Sequence, residues 1–264
     1  MKTSSLSWVG GILLLGCSCP QPPPSATPTM APGQTDASID GPHSPASHAE
    51  HGGHHHGAAD HGAPKEGDDR APLVHGFDGA EKWAKRFESP ERDAYQQPAK
   101  VIEALTLSPG MAVADVGTGT GYFLPYLAEA VGGEGRVLAV DISPDMIRWV
   151  RARAEREGLT RVEPRLALLD DPLLERGSLD RVLVVNTWHH IPDRVAYARR
   201  LAAALRPGGM VVVVDFKLAS EQGPPKEHKL APSVVVDELT EAGLEVRLDE
   251  ALLPEQYLAF GTKA

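Results

Sequence analysis

The chain has 264 residues and a formal net charge of −10 at pH 7. That balance argues against a nucleic-acid partner, because phosphate binding needs a basic footprint, and no basic cluster or series of stacking aromatics supplies one. The only cysteines are Cys17 and Cys19, so nothing downstream can form a disulfide and the fold does not depend on an oxidising compartment.

The N-terminus reads as a secretory signal: Lys2, then an apolar run from Trp8 to Leu15 that is too short to span a bilayer as a permanent helix. From Pro20 to about Pro72 the chain is rich in Pro, Ser, Ala, Gly and His, with almost no large apolar side chains. Such a segment cannot bury enough surface to offset its ordering entropy, and a disordered tether is expected. His43, His48, His51, His54, His55, His56 and His61 cluster within it. Neutral imidazoles bunched in this way can hold Zn, Cu or Ni loosely. No Cys, Asp or Glu stands at a spacing that fixes a geometry, so the tract reads as a spacer and no metal site is expected.

The remaining residues, 73–264, suffice for one α/β domain with a full core. Glu81–Phe87 and Gln97–Leu105 read as helices. Glu91, Arg92 and Tyr95 between them are candidates for a lid. Val113–Val116 is a buried strand that contains Asp115 and runs into Gly117-Thr118-Gly119-Thr120-Gly121. An amphipathic helix from Tyr122 to Val131 follows, then the apolar run Val137–Val140 closed by Asp141. Ser143 as N-cap, Pro144 at the first helical position and Gly158 as the stop delimit the next helix. Val162–Leu166 is a strand interrupted by Pro164, which suits a sheet edge. Asp180–Asn186 is a buried strand, Asp193–Leu205 a helix closed by Arg206-Pro207-Gly208-Gly209, and Met210–Asp215 a continuous apolar strand of the parallel-sheet kind. Pro232–Ala242 is a helix. Leu244–Leu248 and Gln256–Thr262 close the chain as an antiparallel pair.

Strands alternating with helices predict a doubly wound, seven-stranded, mostly parallel sheet with helices on both faces and an antiparallel C-terminal strand. Ligands of such sheets bind at the carboxyl ends of the strands, where the strand order reverses. Asp115, Asp141, Asn186 and Asp215 all fall on that rim. The glycine spacing is Gly-x-Gly-x-Gly, with Tyr122 following the last glycine. The dinucleotide pattern Gly-x-Gly-x-x-Gly is therefore not met.

Asp115–Gly121, Ala139–Met146 and Leu205–Gly209, in this order and spacing, resemble the class I S-adenosylmethionine-dependent methyltransferases. The wording of Glu91–Pro98, Thr187–Asp193, Val214–Lys217 and Gly223–His228 is similar to a poorly characterised bacterial group of predicted methyltransferases. The resemblance implies S-adenosylmethionine as cofactor and a small-molecule acceptor. It implies that Asp115 reaches the methionine amino group, that the turn of Gly117, Thr118, Gly119 and Gly121 lets backbone approach the ligand, that Asp141 holds the ribose hydroxyls and that Ile142 packs on adenine. The family often has Gly-Asp-Ala after the third strand. Here the run is Ala167-Leu168-Leu169-Asp170-Asp171, so Asp170 or Asp171 stands in for the displaced acid. The resemblance also puts Asn186, which ends the fourth strand, at a position where the family's backbone often faces the methionine moiety. Leu14-Leu15-Gly16-Cys17 resembles a bacterial lipobox, which implies cleavage after residue 16, a lipid on Cys17, and a periplasm-facing, lipid-anchored protein with residues 17–72 as tether.

Methyl transfer needs a base only when the acceptor must lose a proton. His189, His190 and His228 are the only histidines downstream of Gly76 and are the candidate catalytic residues. Three readings stand at this point: a methyltransferase, a catalytically silent cofactor-binding domain, and a metal-handling lipoprotein acting through its His tract. Oligomeric state and acceptor are not legible.

Overall fold

A computed structural model describes residues 79–264. The expected signal segment, Cys17, and the expected tether with its histidines lie outside the described residues. Seven strands form one sheet: β1 (Ala112–Val116), β2 (Arg136–Asp141), β3 (Val162–Leu166), β4 (Leu179–Val185), β5 (Leu205–Phe216), β6 (Glu245–Asp249) and β7 (Gln256–Thr262). Their order is β3-β2-β1-β4-β5-β7-β6. The first five are mutually parallel, and β7 is antiparallel to both β5 and β6. The expected architecture, with its antiparallel C-terminal strand, is the one found.

Seven helices accompany the sheet: α1 (Ala80–Phe87), α2 (Pro90–Gln96), α3 (Pro98–Ala104), α4 (Leu124–Val131), α5 (Pro144–Glu157), α6 (Arg194–Ala204) and α7 (Pro232–Glu241). Strand side chains alternate between two cores. Val113, Leu183, Val185, Val212 and Val214 pack with α3 and α4 residues such as Val101, Leu124 and Leu127. Ala114, Val182, Val184, Val211 and Val213 pack on the other face with Leu201 of α6 and Leu239 of α7. Burial on both faces is why the central strands read as continuous apolar runs.

Local chemistry sets the element ends. Ser143 Oγ accepts from Met146 N and Gly158 closes α5 at φ 67°, while Asp193 caps α6 by accepting from Ala196 N at 3.0 Å. Pro164 sits on β3, the sheet edge, as its missing N–H requires.

Three expectations are corrected. The segment between the first two expected helices is itself a helix, α2, and its start signal is present in the sequence: Ser89 at the cap, Pro90 at the first position and Glu91 in the first turn. The helix after the glycine turn starts at Leu124, not Tyr122, with Pro125 in its first turn. The strand expected from Met210 starts at Leu205, so Arg206-Pro207-Gly208-Gly209 lie within β5. β5 already pairs at Leu205 with Leu179, shifts register, and resumes at Met210 with Arg181. The intervening bulge is held by Gly208 N donating to Lys263 O and Lys263 N donating to Gly209 O.

Candidate active site

The strand order reverses between β1 and β4, and the loops after these two strands open the crevice where such sheets bind ligands. After β1 the glycine turn folds back on β2: the amides of Gly117 and Thr118 both donate to Val140 O, at 2.8 and 3.0 Å. Gly117 has φ 73°, and an added Cβ would lie 2.2 Å from Thr187 Oγ1, so glycine lets the loops after β1 and β4 touch. Asp141, at the end of β2, accepts from Gly119 N at 2.8 Å on one oxygen and from Ser143 N at 2.9 Å on the other. Each oxygen keeps a lone pair for a further donor, which matches a vicinal diol.

These groups line a cavity of about 750 Å³. Its floor is the turn from Gly117 to Thr120 with Asp141 and Ile142, and its far wall is Asn186, Thr187, His189, His190 and Ile191. Residues of α1 and α2, Phe216 and the loop 222–225 complete it. Ile142 is 42% exposed, which leaves an apolar side chain for a flat ring to cover. Thr120 Oγ1 and Arg92 Nε are buried without partners, and both residues line the cavity. Orphaned polar atoms of this kind mark a place where a ligand completes the bonding. The Arg92 guanidinium lies 3.9 Å over the Tyr122 ring and donates to Phe87 O at 2.8 Å.

Asp115 is 3% exposed and accepts from the Thr118 hydroxyl at 2.7 Å. Burial pushes its carboxyl up to about 6, against the Thr118 hydrogen bond and the Arg92 charge. The unfolded chain releases this proton near pH 4 and the folded protein holds it to about pH 6. The contribution of Asp115 to stability of the ligand-free protein therefore falls by about 3 kcal/mol as pH rises through that window. Denaturant titrations of the wild type and Asp115→Asn at pH 4.5 and 7 should show about 2 kcal/mol of that difference, the rest lying below pH 4.5. Equal pH slopes in the two proteins would refute the buried, protonated carboxyl.

Asn186 closes β4 in the left-handed region, at φ 54°. Its side chain belongs to a closed ring of three amides. Asn186 Nδ2 donates to Gln96 Oε1 at 3.2 Å, Gln96 Nε2 to Gln256 Oε1 at 2.8 Å, and Gln256 Nε2 to Asn186 Oδ1 at 2.6 Å. Gln96 and Gln256 are fully buried. Each amide satisfies the next, so the ring fastens α2 to the ends of β4 and β7.

Two residues past Asn186, the 3-10 turn Trp188–His190 carries the histidine pair. The Trp188 indole donates to Glu238 at 2.8 Å, and Glu238 also takes Arg194 at 2.7 Å, which anchors the turn to α7. His189 Nδ1 lies 3.0 and 2.9 Å from the two carboxylate oxygens of Asp215, at the end of β5. Asp215 is 1% exposed and also accepts from Phe216 N. With Nδ1–H donating to the carboxylate, the neutral ring carries its lone pair on Nε2.

Of the sequence candidates, Gly117, Thr118, Gly119, Asp141 and Asn186 line the crevice, whereas Asp115 lies buried behind the turn, bonded to Thr118, and Gly121 packs toward Leu124. Ile142, His189 and His190 line the cavity, and the two imidazoles lie 4.2 Å apart between centroids. His228 does not join them: it is half-buried in a 3-10 turn, Lys226–His228, outside the cavity lining. Asp170 and Asp171 do not line the cavity either. The Asp171 carboxylate accepts from Leu173 N and pairs with Arg200 at 3.4 Å, and Asp170 is exposed. The loop turns these acids toward α6, so the cavity wall there is Ala167 and Leu169. Sequence reasoning noted Asp215 on the rim but missed its pairing with His189, and missed Gln96, Gln256 and Thr120 altogether. Two amides separated by 160 positions carry no local signal.

Residues 113–209 match the family model of the methyltransferase domain. The chain is 37% identical over 112 residues to nocamycin O-methyltransferase of Saccharothrix syringae, a match that covers 42% of this chain and 40% of that protein. It thus spans less than half the length of this curated relative. Among solved structures, an S-adenosylmethionine-dependent methyltransferase from Aquifex aeolicus is similar at TM-score 0.65 and 27% identity, over 70% of this chain and 99% of that chain. The [4+2]-cyclase SpnF shares the fold at TM-score 0.55 and 14% identity, over 64% and 80% of the two chains. The fold alone therefore does not dictate methyl transfer, and the argument for chemistry rests on the site.

Proposed function

We propose that this chain transfers the methyl group of S-adenosylmethionine to a small-molecule acceptor, with His189 as the base that takes the acceptor's proton. The observation that carries this reading is the buried His189–Asp215 pair beside the glycine turn and Asp141. A silent binding domain has no use for an imidazole held in one tautomer at the wall of its ligand cavity. When bound, the donor supplies an activated methyl carbon that the acceptor attacks as the carbon–sulfur bond breaks and its electron pair stays on sulfur.

The residues fit that donor. The spare lone pairs of Asp141 suit the ribose hydroxyls and Ile142 the adenine face. Asp115 suits the ammonium of the methionine end, and Arg92 its carboxylate. The orphaned Thr120 hydroxyl adds a bond in the same turn. His189 Nε2 accepts the acceptor's proton, Asp215 is the positioning residue that stabilises the imidazolium so formed, and the cavity walls exclude water.

The test is incubation of the purified chain with methyl-labelled S-adenosylmethionine and a bacterial metabolite extract, followed by mass spectrometry. The expected result is an acceptor that gains one labelled methyl. Donor binding without any labelled product would support the silent domain instead. The lipobox-like run ending at Cys17 supports a lipid-anchored, periplasm-facing location, with residues 17–72 as tether. Cys17→Ser should move the chain from the membrane to the soluble fraction, and unchanged membrane retention would refute the anchor.

A further inference from the structure

We propose that the acceptor is a flat, apolar molecule bearing a hydroxyl on an aromatic ring, seated against Tyr95 and Phe216 with that hydroxyl at His189. The inference rests on the methyltransferase reading above and follows from two features of the cavity that the reading does not use.

The first is the wall beside the base. Phe216 follows Asp215 directly in β5, so the residue that holds His189 is chained to an aromatic ring that lines the same cavity. Tyr95 of α2 stands 5.8 Å from the Phe216 ring between centroids, tilted by 45°. The amide ring through Gln96, the next residue, keeps Tyr95 in place. On the other side of Phe216, Gly223 has φ 87°, and an added Cβ would meet the Phe216 ring at 2.3 Å. Glycine there brings Pro224 and Pro225 onto the cavity as two further apolar plates. A slot of two aromatic rings and two prolines complements a flat ring and offers little to a flexible polar chain.

The second is the charge around the slot. A cationic amine needs a carboxylate. The carboxylates that line the cavity are Asp141, at the glycine-turn end, and Glu91, which is exposed on α2. Asp215 is occupied by His189 and Phe216 N. Among the described residues that line the cavity, the acidic side chain nearest the slot is Glu91, one turn before Tyr95 on α2, and it stands in solvent, so no buried carboxylate is left at the slot to seat an ammonium. Proton affinity narrows the class further. Imidazoles as a group titrate near ~6.5 and phenols near ~10, with water and aliphatic alcohols far higher. Moving a proton from a phenol to an imidazole is uphill by about 3–4 pKa units, and from a water-like alcohol by far more. An imidazole base therefore suits an aryl hydroxyl far better than an aliphatic one. In the step, the aryl O–H proton passes to His189 Nε2, the oxygen bonds to the methyl carbon, and the carbon–sulfur bond breaks with its electrons left on sulfur.

Fragmentation of the labelled products from the extract experiment identifies the attacked atom. The expected product carries its label as an aryl methyl ether. A label on nitrogen, on sulfur or on an aliphatic oxygen overturns this inference and leaves methyl transfer standing, whereas no labelled product refutes the parent reading. A second measurement does not depend on turnover. With S-adenosylhomocysteine bound, catechol and 2-naphthol titrated into the full chain should bind at least tenfold more tightly than cyclohexanol. Tyr95→Ala should erase that preference while S-adenosylhomocysteine affinity stays within twofold. Equal binding of the ring and aliphatic probes, or a preference that survives Tyr95→Ala, overturns the proposed slot.

Discussion

Replacing His189 by alanine lowers kcat by roughly 10²–10⁴ while donor affinity is retained, because general-base catalysis contributes about that much. His189 is 8% exposed and its Nδ1 is committed to Asp215, so the truncation removes the base without touching the glycine turn or Asp141. Added imidazole should restore part of the rate, a readout that a merely structural histidine would not give. Asp215→Asn keeps the shape and removes the charge. It should lower kcat at least about tenfold with a smaller change in KM, since the amide no longer favours the Nδ1–H tautomer or an imidazolium. A His189→Ala enzyme that retains its rate, or that imidazole cannot rescue, removes His189 from the chemistry.

Gly119→Val reduces donor affinity by at least about 100-fold with the fold intact. The three glycines of the turn differ in what a side chain would meet. At Gly117 the added Cβ falls on Thr187, and at Gly121 it falls 2.5 Å from Leu124; both substitutions disturb packing before they test a ligand. At Gly119 the nearest atoms are those of the Phe87 ring at 3.7 and 3.8 Å, an ordinary contact, and φ is 56°. The strain of valine in the left-handed region costs on the order of 1–2 kcal/mol, which a domain of this size tolerates. The lost affinity comes instead from a branched side chain in the cradle and from disturbance of the Gly119 N to Asp141 bond. Calorimetry with a circular dichroism control checks both halves. Wild-type affinity in a folded Gly119→Val protein would mean that the turn is structural only.

Much of this fold was legible because its signals are local. Continuous apolar runs marked the central strands, Ser143, Pro144 and Gly158 bounded α5, and Pro164 put β3 at the edge. The donor side of the site was legible for the same reason: Asp115, the glycines and Asp141 lie within 27 consecutive positions, inside one βαβ unit. What escaped depends on long-range packing. The pairing of His189 with Asp215 joins β5 to the loop after β4, and the amide ring joins positions 96, 186 and 256. Neither has a periodicity or a spacing. The misplacement of Asp170 and Asp171 has the same origin. The resemblance, with its acid after the third strand, suggested the cavity, and Arg200 of α6 holds the loop away from it. Helix α2 is the exception. Its cap, proline and acidic first turn were local and readable, yet its polar composition masked them.

The central claim is that the crevice between β1 and β4 is a donor site, and calorimetric titration of the purified full chain with S-adenosylmethionine tests it most directly. The account predicts saturable one-to-one binding that strengthens about tenfold from pH 5 to pH 7 as Asp115 ionises, and that loses this pH dependence in Asp115→Asn. Absence of binding at millimolar ligand, with the protein shown to be folded, would contradict it.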